Sequence, residues 1–261
     1  MTAERRDLVK LLAAGAGTAV LTPVIAQNIG ATPATDRPEV PWRYRKLDPV
    51  AVAERAYPAY YKGGCCYASF EGIVGELKKE AGHPYTTMPT EMMIFGEGGV
   101  AGISSLCGAL NGAAAAVFLV AGGFDPKKKD EAFALIRELF AWYDHEALPN
   151  YRPVNARYEI KASVSKSPLC HASVTNWCKA SGFKSFSPER AERCGWLAAS
   201  TARHAVELLN RNAASAFKAT YRLSTGTQSC RNCHDKGGKL ENSRGMMDCG
   251  GCHFTGKLEH S

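Results

Sequence analysis

The chain has 261 residues, a net charge of +7 and ten cysteines, and 45% of its residues are hydrophobic. This length allows one sizeable core or a core with an appendage. The lysines and arginines are scattered and form no basic stripe, which argues against nucleic acid as a partner.

The N-terminal residues 1–26 resemble an export signal of the twin-arginine type. Arg5 and Arg6 precede an uncharged run from Leu11 to Ala26, with a suitable cleavage site near Ala26. An uncleaved membrane anchor is the alternative, but the run is shorter than the ~20 apolar residues that span a bilayer. The sequence therefore predicts a periplasmic protein with no stable membrane span after signal cleavage.

The first part of the mature chain is predicted to be an extended arm followed by two helices. Residues 27–47 contain several prolines and little periodicity, whereas residues 48–61 and 65–80 have helical patterns separated by a Gly-Gly pair. In the second helix Cys66 falls on the apolar stripe. The adjacent Cys65 is predicted to be turned about 100° away from it.

Residues 100–124 contain no charged side chain and are long enough to cross a bilayer. Gly108 and Gly112 would supply the small-residue face of a membrane helix dimer. Ser104, Ser105 and the flanking glycines suit a helix buried in a small-residue core equally well. We favour the buried helix and keep the membrane span as the alternative.

Two further amphipathic helices are predicted to begin at Asp125 and Ser187, and the second is the longest predicted helix. Cys194 lies on its core side. Few segments have strand patterns. The predicted fold class is mainly α, with a helical body at residues 48–224 and a short, irregular C-terminal segment at residues 225–261.

The C-terminal segment contains two Cys-x-x-Cys pairs, each followed by a histidine. These six residues are Cys230, Cys233, His234, Cys249, Cys252 and His253. The thiol spacing alone is typical of a structural zinc site, but the two added histidines match the attachment signature of c-type haem. Because the segment has few aliphatic residues, it needs a covalent or metal-bound filler. We predict two haem c groups per chain, with zinc as the alternative.

Each haem iron, held by His234 or His253 on one side, then has a distal position to fill. His83 in "AGHPY" and His171 in "LCHASVTNWC" lie in loop-like segments able to point inward, so they are the predicted distal ligands. The remaining histidines are His145, His204 and His260.

Six cysteines remain in the body. A single buried cysteine is usually a small hydrophobic residue, but several on the core faces of separate helices indicate a shared site. An iron–sulfur cluster needs four thiolates brought together by the fold. A redox-active disulfide is the competing interpretation.

Several segments together resemble a known family. "GCCYASFEGI", "LCHASVTNWC", "ERCGWLAAS" and a Cys-Gly-Ala-x-x-Gly motif at residues 107–112 resemble the redox proteins named for that motif, and the added haem motifs are similar to the split-Soret cytochromes c. The resemblance implies a homodimer with two clustered bis-histidine haems per chain, an axial ligand donated by the partner subunit, and a cysteine-lined site for non-haem iron. The corresponding cysteines are Cys66, Cys107 and Cys194, with Cys170 as the fourth and Cys178 as a further candidate.

The predicted function is electron transfer between redox partner proteins, without catalytic residues. An iron with histidine on both sides has no vacancy for a substrate. The alternative is a multihaem reductase of a small nitrogen or sulfur oxyanion in which one haem keeps an open position.

Overall fold

The computed structural model describes residue 38 and residues 40–253, with only the backbone at 251 and 252. Three predicted features lie outside the described residues: the export signal, residues 27–37 and 39 of the arm, and His260. Within the described residues the protein is mainly α, as predicted. The elements are α1 (Pro49–Glu80), α2 (Gly108–Val120), α3 (Lys129–His145), β1 (Ala147–Leu148), β2 (Ser163–Val164), α4 (Cys170–Ser181), α5 (Pro188–Ala213), α6 (Thr225–His234) and α7 (Gly250–His253). Two 3₁₀ segments, Tyr85–Thr87 and Thr90–Gly96, follow α1, and β1 pairs antiparallel with β2.

Helix α1 is broken near its middle. Asp48 caps its start by accepting a hydrogen bond from the backbone N–H of Val50 at 2.9 Å, and Pro49 occupies the first turn. Gly63 and Gly64 have non-helical backbone angles, so the predicted break is confirmed. The 32 residues of α1 exceed the 26 of α5, but α5 is the longest helix without a break.

The core lies where α1 packs against α5 and α2. Ser187 caps α5 by accepting from the N–H of Arg190 at 3.2 Å, as its sequence predicts. The predicted position of Cys194 on the core side of α5 is confirmed, and the same side carries further buried residues: Leu197, Ala198, Thr201, Ala202, Ala205 and Leu208.

Helix α2 has 13 residues, and turns and bends precede it from residue 97. A Cβ atom at Gly112 would lie 2.0 Å from the carbonyl oxygen of Cys66, so the backbones of α1 and α2 meet here. In the described part of the chain, no helix is long and apolar enough to cross a membrane.

The segment around His171 is helix α4, so its prediction as a loop is wrong. Its residues have weak helix propensity, but Ser173 and Trp177 are buried one turn apart and Gly182 ends the helix in the left-handed conformation. Tertiary packing therefore overrides local propensity in α4.

The C-terminal segment, predicted to be irregular, begins with helix α6. Ser224 caps it by accepting from the N–H of Thr227 at 3.1 Å, and Thr227 is its one buried residue. The hydroxyl of Tyr221 in the body donates to the carbonyl oxygen of Met246 in this segment at 3.3 Å. The segment thus contacts the body through polar groups and buries little apolar surface.

Candidate functional site

Four cysteines from four helices meet in one region of the body. Cys65 is on α1, Cys107 caps α2, Cys170 begins α4 and Cys194 is on α5. Cys170 is half-buried and the other three are buried. Each of these thiols interacts electrostatically with at least two of the others.

Backbone hydrogen bonds hold two of these helix starts side by side. The N–H of Cys107 donates to Pro168 at 2.9 Å, and the N–H of Cys170 donates to Ser105 at 2.7 Å. Leu106 and Leu169 form an antiparallel bridge between them. The Cys-Gly-Ala-x-x-Gly motif is thereby fixed against the first turn of α4.

The prediction that Cys65 is turned away from the core is wrong. A Cβ atom at Gly108 would lie 2.4 Å from the Sγ of Cys65. A Cβ atom at Gly96 would lie equally close to the Sγ of Cys66, so the two thiols point to different neighbours. Among the cysteines, Cys66 interacts with Cys107 alone, so it lies at the edge of the group. This half of α1 is buried on more than one side, since Ala68 and Ser69 are buried as well as Phe70, and a single apolar stripe does not predict that.

Cys178 is not brought into the group. It lies eight residues after Cys170 on α4, about 12 Å along the helix axis. The resemblance to the family had already ranked Cys178 behind Cys170.

Burial governs the acidity of these thiols. It raises the pKa of Cys65 well above its usual value and the pKa of Cys170 to about 12, and the neighbouring thiols add to the effect. Burial likewise raises the pKa of Cys66 to about 12 and raises that of Cys107. A metal bound here must therefore displace protons from neutral thiols.

The spread of the four sulfurs limits what they can hold together. Within residues 40–253, no three His, Cys, Asp or Glu side chains converge closely enough to hold one metal ion. All nine cysteines whose side chains are described are free thiols. In the part of the chain that the structure describes, the four thiols therefore share a buried region without forming a single-ion site.

In the C-terminal segment, α6 carries the first haem signature in its last turn. Cys230, Cys233 and His234 stand at i, i+3 and i+4, which places them on one helix face. Nδ1 of His234 lies 2.8 Å from the amide oxygen of Asn242. This acceptor favours the Nδ1–H tautomer and leaves the Nε2 lone pair available for a metal.

The second signature adjoins the first. The thiol of Cys249 interacts with that of Cys230, and α7 carries His253. The side chain of Cys252 lies outside the described residues. Three apolar side chains nearby are exposed: Leu240, Met246 and Met247. This exposed apolar surface fits a segment that folds around a large apolar group.

The predicted distal ligands His83 and His171 are both exposed, so the expectation that they point inward is wrong. His171 begins α4 one residue after Cys170, and His83 follows the end of α1. Of the other described histidines in the body, His145 is hydrogen-bonded through Nδ1 to Ala141, and His204 is stacked on Trp142.

Three comparisons relate the chain to known proteins. Residues 67–208 match the family model described as "Putative redox-active protein (C_GCAxxG_C_C)". The chain is 38% identical over 221 residues to the split-Soret cytochrome c of Desulfovibrio desulfuricans, covering 81% of this chain and 77% of that protein. A solved structure, described as "A novel iron centre in the split-Soret cytochrome c", matches with a TM-score of 0.75 and 37% identity, covering 82% of this chain and 91% of that chain.

The chain belongs to the C_GCAxxG_C_C family and to the split-Soret cytochromes c. Membership in the split-Soret cytochromes c confirms the predicted class of redox protein. The family-model match begins at Tyr67 and therefore includes Cys107, Cys170 and Cys194 but neither Cys65 nor Cys66. The choice between those two cysteines rests on the structure.

Proposed function

We propose that this split-Soret cytochrome c is a periplasmic electron carrier that works as a homodimer. Each subunit would hold two covalent haem c groups on residues 225–261 and an iron–sulfur cluster in the body. The observation that carries the proposal is the shared face of Cys230, Cys233 and His234 on α6.

The C-terminal segment has the residues that haem attachment needs. Cys230 and Cys233 would bond the first haem, and Cys249 and Cys252 the second, with His234 and His253 as proximal ligands. Bound haem iron supplies a one-electron oxidation and reduction. The protein would bind and orient the group, and the amide oxygen of Asn242 favours the His234 tautomer whose Nε2 would be available to the iron. The contact between Cys230 and Cys249 makes the two attachment sites neighbours.

The body has a separate set of iron ligands. Cys65, Cys107, Cys170 and Cys194 would hold the iron–sulfur cluster, with Cys66 at the edge of the group. Their burial excludes water, which limits side reactions and favours electron transfer over chemistry on a substrate. This group of cysteines would therefore add a second kind of redox centre to the haems.

The exposed histidines support a dimer. His83 or His171 could reach a haem of the partner subunit, because an exposed imidazole is free to coordinate across an interface. With a second histidine on each iron no coordination position stays vacant, which favours exchange of electrons with redox partner proteins over catalysis.

The mass of the denatured protein tests the haem proposal. The wild-type chain should carry two covalent haems, and replacing Cys230 and Cys233 by Ala should remove one of them. Replacing Cys249 and Cys252 should remove the other. Cys178→Ala is the matched control and should keep both haems. A wild-type chain with one bound zinc and no covalent haem would contradict the proposal and support the zinc alternative.

A further inference from the structure

Arg193 is a buried cation that forms no ion pair with a described carboxylate. Its side chain is 1% exposed, and one terminal nitrogen donates to the hydroxyl of Ser173 at 2.8 Å. Its Nε has no hydrogen-bond partner although it is buried. In the described part of the chain, no carboxylate forms an ion pair with it. A buried charge in a native protein is normally paired, so a partner for this one is missing.

The neighbouring residue shows how the same helix satisfies a buried charge. Glu192 is fully buried, and its carboxylate accepts from the hydroxyls of Tyr57 and Tyr61, the indole of Trp196 and the backbone N–H of Arg157. Burial alone would raise its pKa, but these hydrogen bonds hold that pKa below its usual value. The protein thus surrounds one buried charge with donors and leaves the adjacent one incompletely partnered.

The Arg193 guanidinium faces the group of cysteines described above. Burial disfavours its charge, but its pKa stays above the usual value because of the Cys194 thiol first, then the Tyr143 hydroxyl and the Cys107 thiol. Tyr143 donates to the same Ser173 hydroxyl at 2.8 Å and also interacts with Cys107. A fixed hydrogen-bonded chain therefore holds the cation beside two of the proposed iron ligands.

An iron–sulfur centre ligated by four thiolates is an anion, and it would supply the charge that Arg193 lacks. We propose that Arg193 is the internal counter-charge of the centre held by Cys65, Cys107, Cys170 and Cys194, and that it sets the centre's reduction potential. This inference rests on the proposed iron centre. A nearby cation stabilises the reduced, more negative state, so it raises the reduction potential. Arg193 acts here as a positioning and tuning residue.

Arg193→Met in the full-length, haem-loaded protein tests the proposal. Non-haem iron and labile sulfide are measured per chain, and the potential of the centre is titrated by electron paramagnetic resonance. The variant should bind iron at least about tenfold more weakly in chelator competition, and the remaining centre should have a lower potential. Arg193→Lys, which keeps the charge, should restore most of the potential.

A second measurement separates this role from a structural one. After iron removal, Arg193→Met should be at least as stable to urea as the iron-free wild type, because the wild type then buries an uncompensated cation. An arginine needed only for packing would lower stability equally with and without iron. If the Met variant does not fold, Arg193→Gln provides the same neutral comparison.

Arg203→Met is the matched control, since Arg203 lies about 15 Å further along α5 and pairs with Glu207 at 3.3 Å. It should leave the potential unchanged. An iron-loaded Arg193 variant with the wild-type potential would overturn the counter-charge alone. Wild-type protein without non-haem iron would overturn the proposed centre and the counter-charge with it.

Discussion

Cys65 lies directly against Gly108: a Cβ atom on Gly108 would come within 2.4 Å of the Cys65 sulfur. A Cβ atom on Gly112, the second glycine of the motif, would come within 2.0 Å of the carbonyl oxygen of Cys66. The Cys-Gly-Ala-x-x-Gly motif therefore lets α2 approach α1 closely enough to bring Cys107 beside Cys65.

Gly108→Ala should displace the Cys65 sulfur and reduce the non-haem iron bound per chain. The added methyl group also meets the carbonyl oxygen of Gly96 at 2.7 Å, so stability should fall by about 1–3 kcal/mol. Iron analysis and urea unfolding measure the two effects. Gly226→Ala on α6 is the control, since its nearest atom is 3.9 Å away and iron content should not change. Full iron content in Gly108→Ala would contradict the role of this contact.

The neighbouring cysteines Cys65 and Cys66 provide a matched pair. Cys65→Ser should lose most of the non-haem iron, because Cys65 interacts with the three other cysteines of the group. Cys66→Ser should keep it, because Cys66 interacts with Cys107 alone. Both variants should keep two covalent haems, which serves as the internal control. The reverse pattern would restore the sequence-based choice of Cys66.

Helix ends marked by local chemistry could be predicted from the sequence. The cap at Asp48, the break at residues 63 and 64 and the start of α5 after Ser187 depend on side chains within a few residues, so their patterns are informative. The core side of α5 followed from its periodicity, which placed Cys194 correctly.

Features set by long-range contacts could not be predicted. Helix α4 forms because Trp177 is buried against the body, and the burial of Cys65 depends on α2, whose Gly108 lies against its sulfur. The buried charge of Arg193 could not be predicted either, because its environment includes Ser173 of α4 and Tyr143 of α3, which are distant from it in the sequence.

Removing a distal ligand should open a haem to carbon monoxide. His83→Ala or His171→Ala should convert one haem per chain from low spin to high spin, because the iron loses an imidazole. The absorption spectrum of the reduced protein with carbon monoxide is the readout. His145→Ala is the control, because its exposed ring is hydrogen-bonded to Ala141 on its own helix. Low-spin spectra in all three variants would shift the assignment to His204 or His260.

Replacing Arg5 and Arg6 by lysine should block export if the leader uses the twin-arginine route. The expected product is a haem-free precursor in the cytoplasm, because haem is attached outside, and it could still contain iron and labile sulfide. Cell fractionation with haem staining measures this outcome. Lys10→Arg preserves the leader's charge and should export normally. Normal periplasmic yield of the Lys-Lys variant with both haems would contradict the prediction of a twin-arginine signal.

The stability of the protein should carry a pH-dependent contribution from Asp144 at the end of α3. Burial, opposed by His145 and reinforced by Asp248, raises its pKa to about 6, and its Oδ1 is buried without a partner. The folded state therefore binds a proton that the unfolded state releases, so this contribution stabilises the protein as the pH falls from about 7 to about 4. Discounted for partial exposure, the effect is on the order of 1 kcal/mol.

Asp144→Asn should remove this pH dependence and make the protein more stable at pH 7, because the neutral amide resembles the protonated acid and ends the repulsion from Asp248. Urea unfolding gives the free energy of unfolding of both proteins between pH 4 and pH 7. The difference between the two isolates the contribution of Asp144 from those of the other carboxylates. The exposed Asp130 on the same helix provides the control variant Asp130→Asn, which should track the wild type. A constant difference between Asp144→Asn and wild type across this range would show that the carboxylate stays ionised in the folded protein.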